Sequence, residues 1–146
     1  MAERTVFQSI PKKHVLSLPP LASVYEAACA MTRENSSSVL VMEPPDVLLG
    51  IVTERDLTTR VLAKAREPRR TPVRMVMTPT PVCVPPETRV SDAVLIMIEK
   101  GFRHLPIVGA GGKILGVFSV RDALPQEIGT ALSQAEFNEQ VNDVLG

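Results

Sequence analysis

Aromatic residues are scarce in this sequence, with one Tyr, four Phe and no Trp among 146 residues. The chain therefore lacks the aromatic platform on which single-stranded nucleic acids stack. Its two cysteines, Cys29 and Cys83, form no C-x-x-C pair, so neither a disulfide framework nor a metal cluster is predicted. We expect both to be small buried hydrophobic residues.

Long apolar runs and an excess of either charge are also missing. Sixteen basic residues balance sixteen acidic ones, so no overall field attracts nucleic acid or an anionic membrane. The stretch 36–52 is interrupted by Glu43, Pro44, Pro45 and Asp46, far short of the ~20 apolar residues of a membrane span. The N-terminus lacks the apolar segment of a secretion signal. These features predict a cytoplasmic globular protein without membrane contact.

The chain contains an internal repeat. Shifting the sequence by 66 residues places 17–57 on 83–123 without a gap. The corner "GIVTERDL" at 50–57 then matches "GVFSVRDAL" at 116–124. A fixed offset of this kind indicates two copies of one supersecondary unit, each unable to bury its apolar face alone.

Each copy predicts one amphipathic helix after a Pro-Pro turn, because its apolar residues recur at helical spacing. Ser23 and Glu26 match a capping box at the start of the first helix. Asn35 and Gly101 occupy equivalent positions and are the residue types that favour a left-handed helix C-cap.

Two short apolar runs follow each helix and predict buried strands, because Pro and Gly bound them. A further helix is expected after Thr53, and a shorter one after Ser119 that Pro125 breaks. With a short leading strand near 14–18 and 80–84, the unit reads β-α-β-β-α. The predicted class is α/β (α+β), with two repeats related by a pseudo-twofold axis.

This pattern predicts four segments in the chain. They are repeat 1 at 8–64, a linker at 65–79, repeat 2 at 80–128 and a C-terminal helical tail at 129–146. Phe137, Val141 and Val144 form an apolar stripe along the tail, which we expect to pack on the core or, failing that, on a partner subunit.

The repeated corner has two interpretations. Thr53-x-x-Asp56 and Ser119-x-x-Asp122 both match a capping box, which alone explains them. However, an arginine stands within each first turn, where a cation opposes the helix dipole unless an anion binds there. A hydroxyl, a guanidinium and a carboxylate together offer donors to a phosphate and an acceptor to a sugar diol.

These residues resemble the CBS domain, named after cystathionine β-synthase, and the pair is similar to a Bateman module. The two corners carry the resemblance, together with "FRHLPIV" at 102–108 and the segment 76–97. The resemblance implies a homodimer and an adenosine-containing effector, such as AMP, ADP, ATP, NAD or S-adenosylmethionine, in clefts between the copies. It implies no required cofactor and no bound metal.

The resemblance also assigns site residues. Asp56 and Asp122 would accept from ribose hydroxyls, and Thr53, Arg55, Ser119 and Arg121 would meet ribose or phosphate oxygens. His104 would reach phosphate. Residues expected beside Asp56 are Thr80, Val82, Phe102 and Arg103. Those expected beside Asp122 are His14, Leu16, Ser36 and Ser37. The two copies differ in the strand after the helix, where the second has Leu105-Pro106 and the first Val39-Leu40. They also differ at the corner, where the first has Glu54 and the second Val120. One well-used site is therefore expected rather than two equal ones.

Three alternatives remain open from the residues. Catalysis has little support, because no P-loop, H-E-x-x-H or G-x-S-x-G motif occurs. Residues 60–74 are locally basic and suit either a solvated linker or a polyanion. The corners also suit an assembly module with empty clefts. The favoured interpretation is a regulatory CBS pair that senses an adenosine-containing ligand and signals by a shift in conformation to an unknown protein partner.

Overall fold

The computed structural model describes residues 3–11 and 14–145. The chain divides into two compact units. Val15–Pro81 forms one unit, and the segments up to His14 and from Val82 onward form the other. We refer to them as the first-repeat unit and the second-repeat unit.

Helices and strands alternate along both units and give a mixed α+β fold, as the sequence predicts. The helices are α1 (Val6–Ser9), α2 (Val24–Glu34), α3 (Glu54–Asp56), α4 (Val90–Lys100) and α5 (Pro125–Leu145). The strands are β1 (Ser17–Leu18), β2 (Ser38–Glu43), β3 (Val47–Thr53), β4 (Thr78–Pro79), β5 (His104–Val108) and β6 (Ile114–Ser119). Single 3-10 turns lie at Pro68–Arg70, Val73–Met75, Ala110–Gly112 and Val120–Asp122.

The strand register repeats with the same offset of 66 residues as the sequence. Ser38 pairs with Thr53 in the β2–β3 hairpin, and His104 pairs with Ser119 in the β5–β6 hairpin. Both hairpins also shift register at equivalent places, between Val41 and Met42 and between Ile107 and Val108. The internal repeat is therefore a repeat of structure down to individual residue pairs.

The leading strand of each repeat is shorter than expected. In the first-repeat unit it is the two-residue β1, where Leu18 pairs in parallel with Val41. In the second it shrinks to one parallel bridge between Val84 and Ile107, the residues 66 positions later. The sheets that result have the order β1-β2-β3-β4 and β5-β6.

Helices α2 and α4 both end as the sequence predicts. Asn35 closes α2 at φ 50°, and Gly101 closes α4 at φ 78°, so both adopt the left-handed conformation. At the start of α2 the Ser23 hydroxyl accepts a hydrogen bond from Glu26 N at 3.1 Å. These caps stop each helix at the same point before the following strand.

Each unit has its own apolar core, formed where its long helix covers its sheet. In the first-repeat unit the buried residues are Ala22, Val24, Ala27, Ala30, Met31, Val39, Val41, Val52, Val61, Val73 and Val76. In the second they are Val6, Ile10, Val84, Val90, Ala93, Val94, Met97, Leu105, Ile107, Phe118 and Ala131. Burial of this apolar surface is the main stabilising contribution in both units.

The segment 65–79 is more than a connecting linker. Val73 and Val76 are buried in the core of the first-repeat unit. Val73 N donates to Ala22 O at 2.7 Å, and Val24 N donates to Thr71 O at 2.9 Å. The N-terminal segment packs on the second-repeat unit in the same manner, through Val6 and Ile10.

The predicted helix after Thr53 is present, and it continues beyond Asp56 in π-helical form at Leu57–Leu62. Two other local expectations are wrong. Pro125 does not break a helix but begins α5, because proline suits the first helical turn, where its missing N–H has no partner to lose. Cys29 and Cys83 are both exposed rather than buried.

The tail stripe is not buried in the core. Phe137 is 60% exposed and Val144 84%, and Ala131 is the buried residue of α5. Of the two expectations for this stripe, packing on the core is therefore wrong.

Candidate functional site

The first corner is built at the junction of β3 and α3. Asp56 Oδ2 accepts from Thr53 N at 2.9 Å and from the Thr53 hydroxyl at 3.1 Å. In return the Thr53 hydroxyl accepts from Asp56 N at 3.3 Å. Both halves of the predicted capping box are therefore present, and they hold a buried carboxylate at the start of the helix.

Arg60 adds a contact that the sequence interpretation did not include. Its Nε lies 3.5 Å from Asp56 Oδ1, one helical turn away. Its Nη1 donates to Val76 O at 3.0 Å and to Met77 O at 3.2 Å. Both oxygens of the Asp56 carboxylate therefore have a protein partner, and the corner is joined to the segment before β4.

The second corner repeats this geometry at the junction of β6 and the 3-10 turn Val120–Asp122. Asp122 Oδ2 accepts from Ser119 N at 3.0 Å, and the Ser119 hydroxyl accepts from Arg121 N at 3.3 Å. The position equivalent to Arg60 is Gln126. Among the residues that the structure describes, Asp122 Oδ1 has no recorded hydrogen bond or ion pair.

The electrostatics of the second corner differ accordingly. Burial raises the pKa of Asp122 above its ordinary value, opposed by the Ser119 backbone hydrogen bond and by the charges of Arg121 and Arg4. Arg4 Nη2 donates to Asp122 O at 3.1 Å. The Arg4 side chain also forms a two-point ion pair with Glu127, at 2.7 and 3.1 Å. The second corner is thus tied to the N-terminal segment.

Each corner also receives a backbone contact from the residue directly before the first strand of its hairpin. Glu54 N donates to Ser37 O at 3.0 Å, and Val120 N donates to Arg103 O at 3.1 Å. These pairs are again 66 residues apart. The structure thus brings Ser37 to the first corner and Arg103 to the second, whereas the resemblance assigns Ser37 to the corner of Asp122 and Arg103 to the corner of Asp56. These two assignments stay predictions.

Thr80 is a predicted site residue with an unusual backbone. Its φ is 47°, in the left-handed region that β-branched residues rarely enter. Its N–H donates to Leu49 O at 3.1 Å. Strained conformations of this kind often occur where a ligand is bound, so Thr80 is worth testing as a contact.

The other predicted site residues divide between the two units. Arg55 and Arg121 are both exposed beside their corners, and His104 lies opposite Ser119 in the hairpin. Leu16, Ser36, Ser37, Thr53, Arg55, Asp56 and Thr80 belong to the first-repeat unit. His14, Val82, Phe102, Arg103, His104, Ser119, Arg121 and Asp122 belong to the second.

Sequence reasoning missed the two arginines that fix the corners. Arg60 lies four residues after Asp56, a spacing at which opposite charges meet on a helix, so the sequence alone could have predicted this ion pair. Arg4 lies 118 residues from Asp122 and no local spacing indicates their contact. Within residues 3–11 and 14–145, no cluster of three or more His, Cys, Asp or Glu side chains is placed to hold a metal. No helix in these ranges is both long and apolar enough to span a membrane.

The fold is thus a tandem α+β repeat with a capped carboxylate corner in each copy. The sequence pattern of the CBS domain matches residues 7–63 and 73–126, more than half of the chain. The chain belongs to the CBS-domain proteins.

Relatives and a solved structure agree with this assignment. A 17.7 kDa protein of Acidianus ambivalens is 36% identical over 118 residues, which are 81% of this chain and 70% of that protein. The Meiotically up-regulated gene 70 protein of Schizosaccharomyces pombe is 32% identical over 131 residues, which are 84% of this chain but 18% of that protein. The chain thus spans less than a fifth of the yeast relative.

The solved CBS domain protein of Pyrobaculum aerophilum, complexed with AMP, has a TM-score of 0.77 to this chain. It is 22% identical, and the match covers 90% of this chain and all of that one. At this identity the likeness establishes the fold alone.

Proposed function

We propose that this chain is a regulatory CBS pair that binds an adenosine-containing ligand and has no catalytic activity of its own. The observation that carries the proposal is the duplicated corner. Asp56 Oδ2 lies 2.9 Å from Thr53 N in the first copy, and Asp122 Oδ2 lies 3.0 Å from Ser119 N in the second. A fixed carboxylate is a suitable acceptor for the two hydroxyls of a ribose. An exposed arginine stands beside each carboxylate and suits a phosphate.

One further observation supports a nucleotide as the ligand. A solved protein of the same fold is complexed with AMP. The effector in this proposal is AMP, ADP, ATP, NAD or S-adenosylmethionine.

The proposal includes a mechanism of signalling. A ligand that binds one conformation of the pair more tightly than another shifts the population toward the first, by as much as the two affinities differ. The protein acts as a homodimer and passes this shift to a separate protein. A pull-down with and without the nucleotide tests the signalling to a separate protein. A partner that is captured in equal amounts with and without the nucleotide would contradict it.

A thermal-shift panel of AMP, ATP, NAD and S-adenosylmethionine tests the binding itself. At a hundred times its dissociation constant, a ligand specific for the native state adds roughly 2.7 kcal/mol of stability. We expect one of the four to raise the unfolding temperature of the wild-type protein. Phe102→Ala and Thr80→Gly should weaken that shift if these residues contact the ligand.

A second candidate is an assembly module whose corners serve only as helix caps. The complete capping boxes at Thr53 and Ser119 favour it, because the hydrogen bond from Ser119 N to the Asp122 carboxylate is itself a capping bond. A panel without any shift, from a protein that still self-associates, would select this candidate. Salt-sensitive binding of an oligonucleotide would instead favour a polyanion at the basic segment 60–74.

A further inference from the structure

The C-terminal helix α5 presents an apolar stripe that this chain leaves uncovered. Phe137 is 60% exposed, Val144 84% and Leu145 81%. A shallow groove runs between α5 and α4, and Ile98, Phe137 and Val141 line it. Exposed apolar stripes with a polar rim are typical of protein–protein contacts rather than of free surface.

The rim of this groove is acidic. Glu139 and Asp143 of α5 and Glu99 of α4 line it. Over Pro125–Leu145, helix α5 has no Lys, Arg or His that would offset these charges. Two such helices packed against each other would bring like charges together, which disfavours contact between two tails. A complementary partner must be basic as well as apolar.

The first-repeat unit has a surface of that kind. Residues 60–74 contain six basic side chains against one acidic, Glu67. Arg66, Arg69 and Arg70 are exposed, and the apolar residues around them are exposed too. The exposed fractions are 70% for Leu21, 54% for Met75 and 43% for Tyr25.

Contacts of two kinds gather these residues into one surface. The Arg69 guanidinium lies 4.5 Å from the centre of the Tyr25 ring, which places basic and aromatic side chains together. Arg74 N donates to Pro20 O at 3.1 Å and Val73 N to Ala22 O at 2.7 Å, so the backbone before Met75 lies against the backbone on either side of Leu21. The segment is held in place by the buried Val73, so this basic surface is not a loose linker.

We propose that the acidic groove (Ile98, Glu99, Phe137, Glu139, Val141 and Asp143) binds the basic surface (Leu21, Tyr25, Arg66, Arg69, Arg70 and Met75) of a second copy of this chain. The groove carries three acidic side chains and the basic surface three arginines, and such a division of charge is complementary between copies. The inference rests on the proposed homodimer and names the surfaces that form it.

A charge-exchange experiment tests the pairing. Glu139→Arg with Asp143→Arg makes both surfaces of the chain basic, and Arg66→Glu with Arg70→Glu makes both acidic. Within residues 3–11 and 14–145, none of these four side chains forms a hydrogen bond or an ion pair, so both double variants should fold, and circular dichroism checks that they do. Each alone should self-associate at least about tenfold more weakly than wild type, because like charges then face each other.

Mixing the two double variants supplies the decisive result, measured by sedimentation velocity. Each acidic surface now meets a basic one, so the equimolar mixture should regain the wild-type association. Glu43→Arg with Asp46→Arg is the matched control, since it reverses two exposed carboxylates, one at the end of β2 and one in the turn that follows, and it should associate like wild type. High salt should weaken the wild-type complex.

Each other outcome overturns a specific part. A wild-type protein that stays monomeric contradicts the homodimer itself and leaves nucleotide binding untouched. If both double variants self-associate as strongly as wild type, the dimer stands but the two proposed surfaces do not form it. Folded variants that dissociate separately and fail to associate when mixed contradict the pairing of groove with basic surface.

Discussion

Arg60 Nε lies 3.5 Å from Asp56 Oδ1, and the same guanidinium donates to the carbonyls of Val76 and Met77. One side chain therefore joins the first corner to the segment that enters the same core. The second corner has Gln126 at the equivalent position, so the two copies of the repeat hold their carboxylates by different means.

Arg60→Gln should lower the free energy of unfolding by about 1–2 kcal/mol, because two hydrogen bonds to backbone carbonyls are lost. The ion pair itself contributes little of this, since the Arg60 side chain is 47% exposed. Urea denaturation measures the change. Arg33→Gln is the control: its ion pair with Glu34 is longer, at 3.9 Å, and its side chain is 68% exposed. Equal effects of the two substitutions would show that the contacts of Arg60 are not stabilising.

Gly50→Ala should be destabilising by about 1–3 kcal/mol. A Cβ at this position would lie 2.5 Å from Met77 Sδ and 2.8 Å from the carbonyl oxygen of Thr78. The side chain of Met77 can move, but the backbone of β4 is held by its pairing with β3.

Gly129→Ala is the opposite case in the same chain. A Cβ there meets no atom within 4 Å, and the residue lies inside α5. Alanine should therefore stabilise the helix by about 0.5–1 kcal/mol. Thermal unfolding of both variants separates the two effects. A Gly50 variant as stable as wild type would mean that β4 does not approach β3 this closely.

Glu127→Gln should lower the free energy of unfolding and should make it depend less on pH in the acidic range. The hydrogen bond from Arg4 is the main cause that holds the pKa of Glu127 below its ordinary value of 4.5. The ionised Glu127 therefore stabilises the folded protein above about pH 4.5, and this contribution is lost as the pH falls through its lowered pKa.

The glutamine variant should lose about 1 kcal/mol at neutral pH, a modest value because the Arg4 side chain is 35% exposed. Between pH 5 and about pH 3 its unfolding midpoint should change less than that of wild type. Glu136→Gln, at an exposed position of the same helix, should leave the acid profile unchanged. An identical loss from both variants would contradict the role of the Arg4–Glu127 pair.

Asp122→Asn should leave the protein at least as stable as wild type at neutral pH. Burial raises the pKa of Asp122, so its charged form costs stability above its ordinary pKa of 3.8. Asparagine removes that charge, while its amide oxygen can still accept from Ser119 N. Chemical denaturation at pH 7 checks the sign, and a loss above about 1 kcal/mol would mean that the charge itself is required for the cap.

Much of the fold could be predicted from the sequence because both copies show the same patterns of helix, turn and strand residues. The paired hairpins and the left-handed caps at Asn35 and Gly101 follow from local turn chemistry, which the sequence displays directly. The role of Val73 and Val76 was not readable, since a single 3-10 turn between prolines shows no periodic pattern. Tail burial was misjudged because an amphipathic stripe does not reveal what covers it.

The corners divide in the same way. Their capping boxes depend on residues three apart, so the sequence predicts them. Contacts from Arg4 depend on how the N-terminal segment packs, which no spacing encodes. Whether the carboxylates also bind ribose depends on groups that a cap does not use, so it must be measured.

Isothermal titration with the nucleotide that gives the largest thermal shift is the most direct test of that claim. Wild type, Asp56→Asn and Asp122→Asn would be titrated under one condition in which all three are folded. We predict that at least one substitution abolishes binding while the protein remains folded. Affinity unchanged in both variants, or no heat from any nucleotide, would contradict the proposal that the corner carboxylates bind an adenosine ligand.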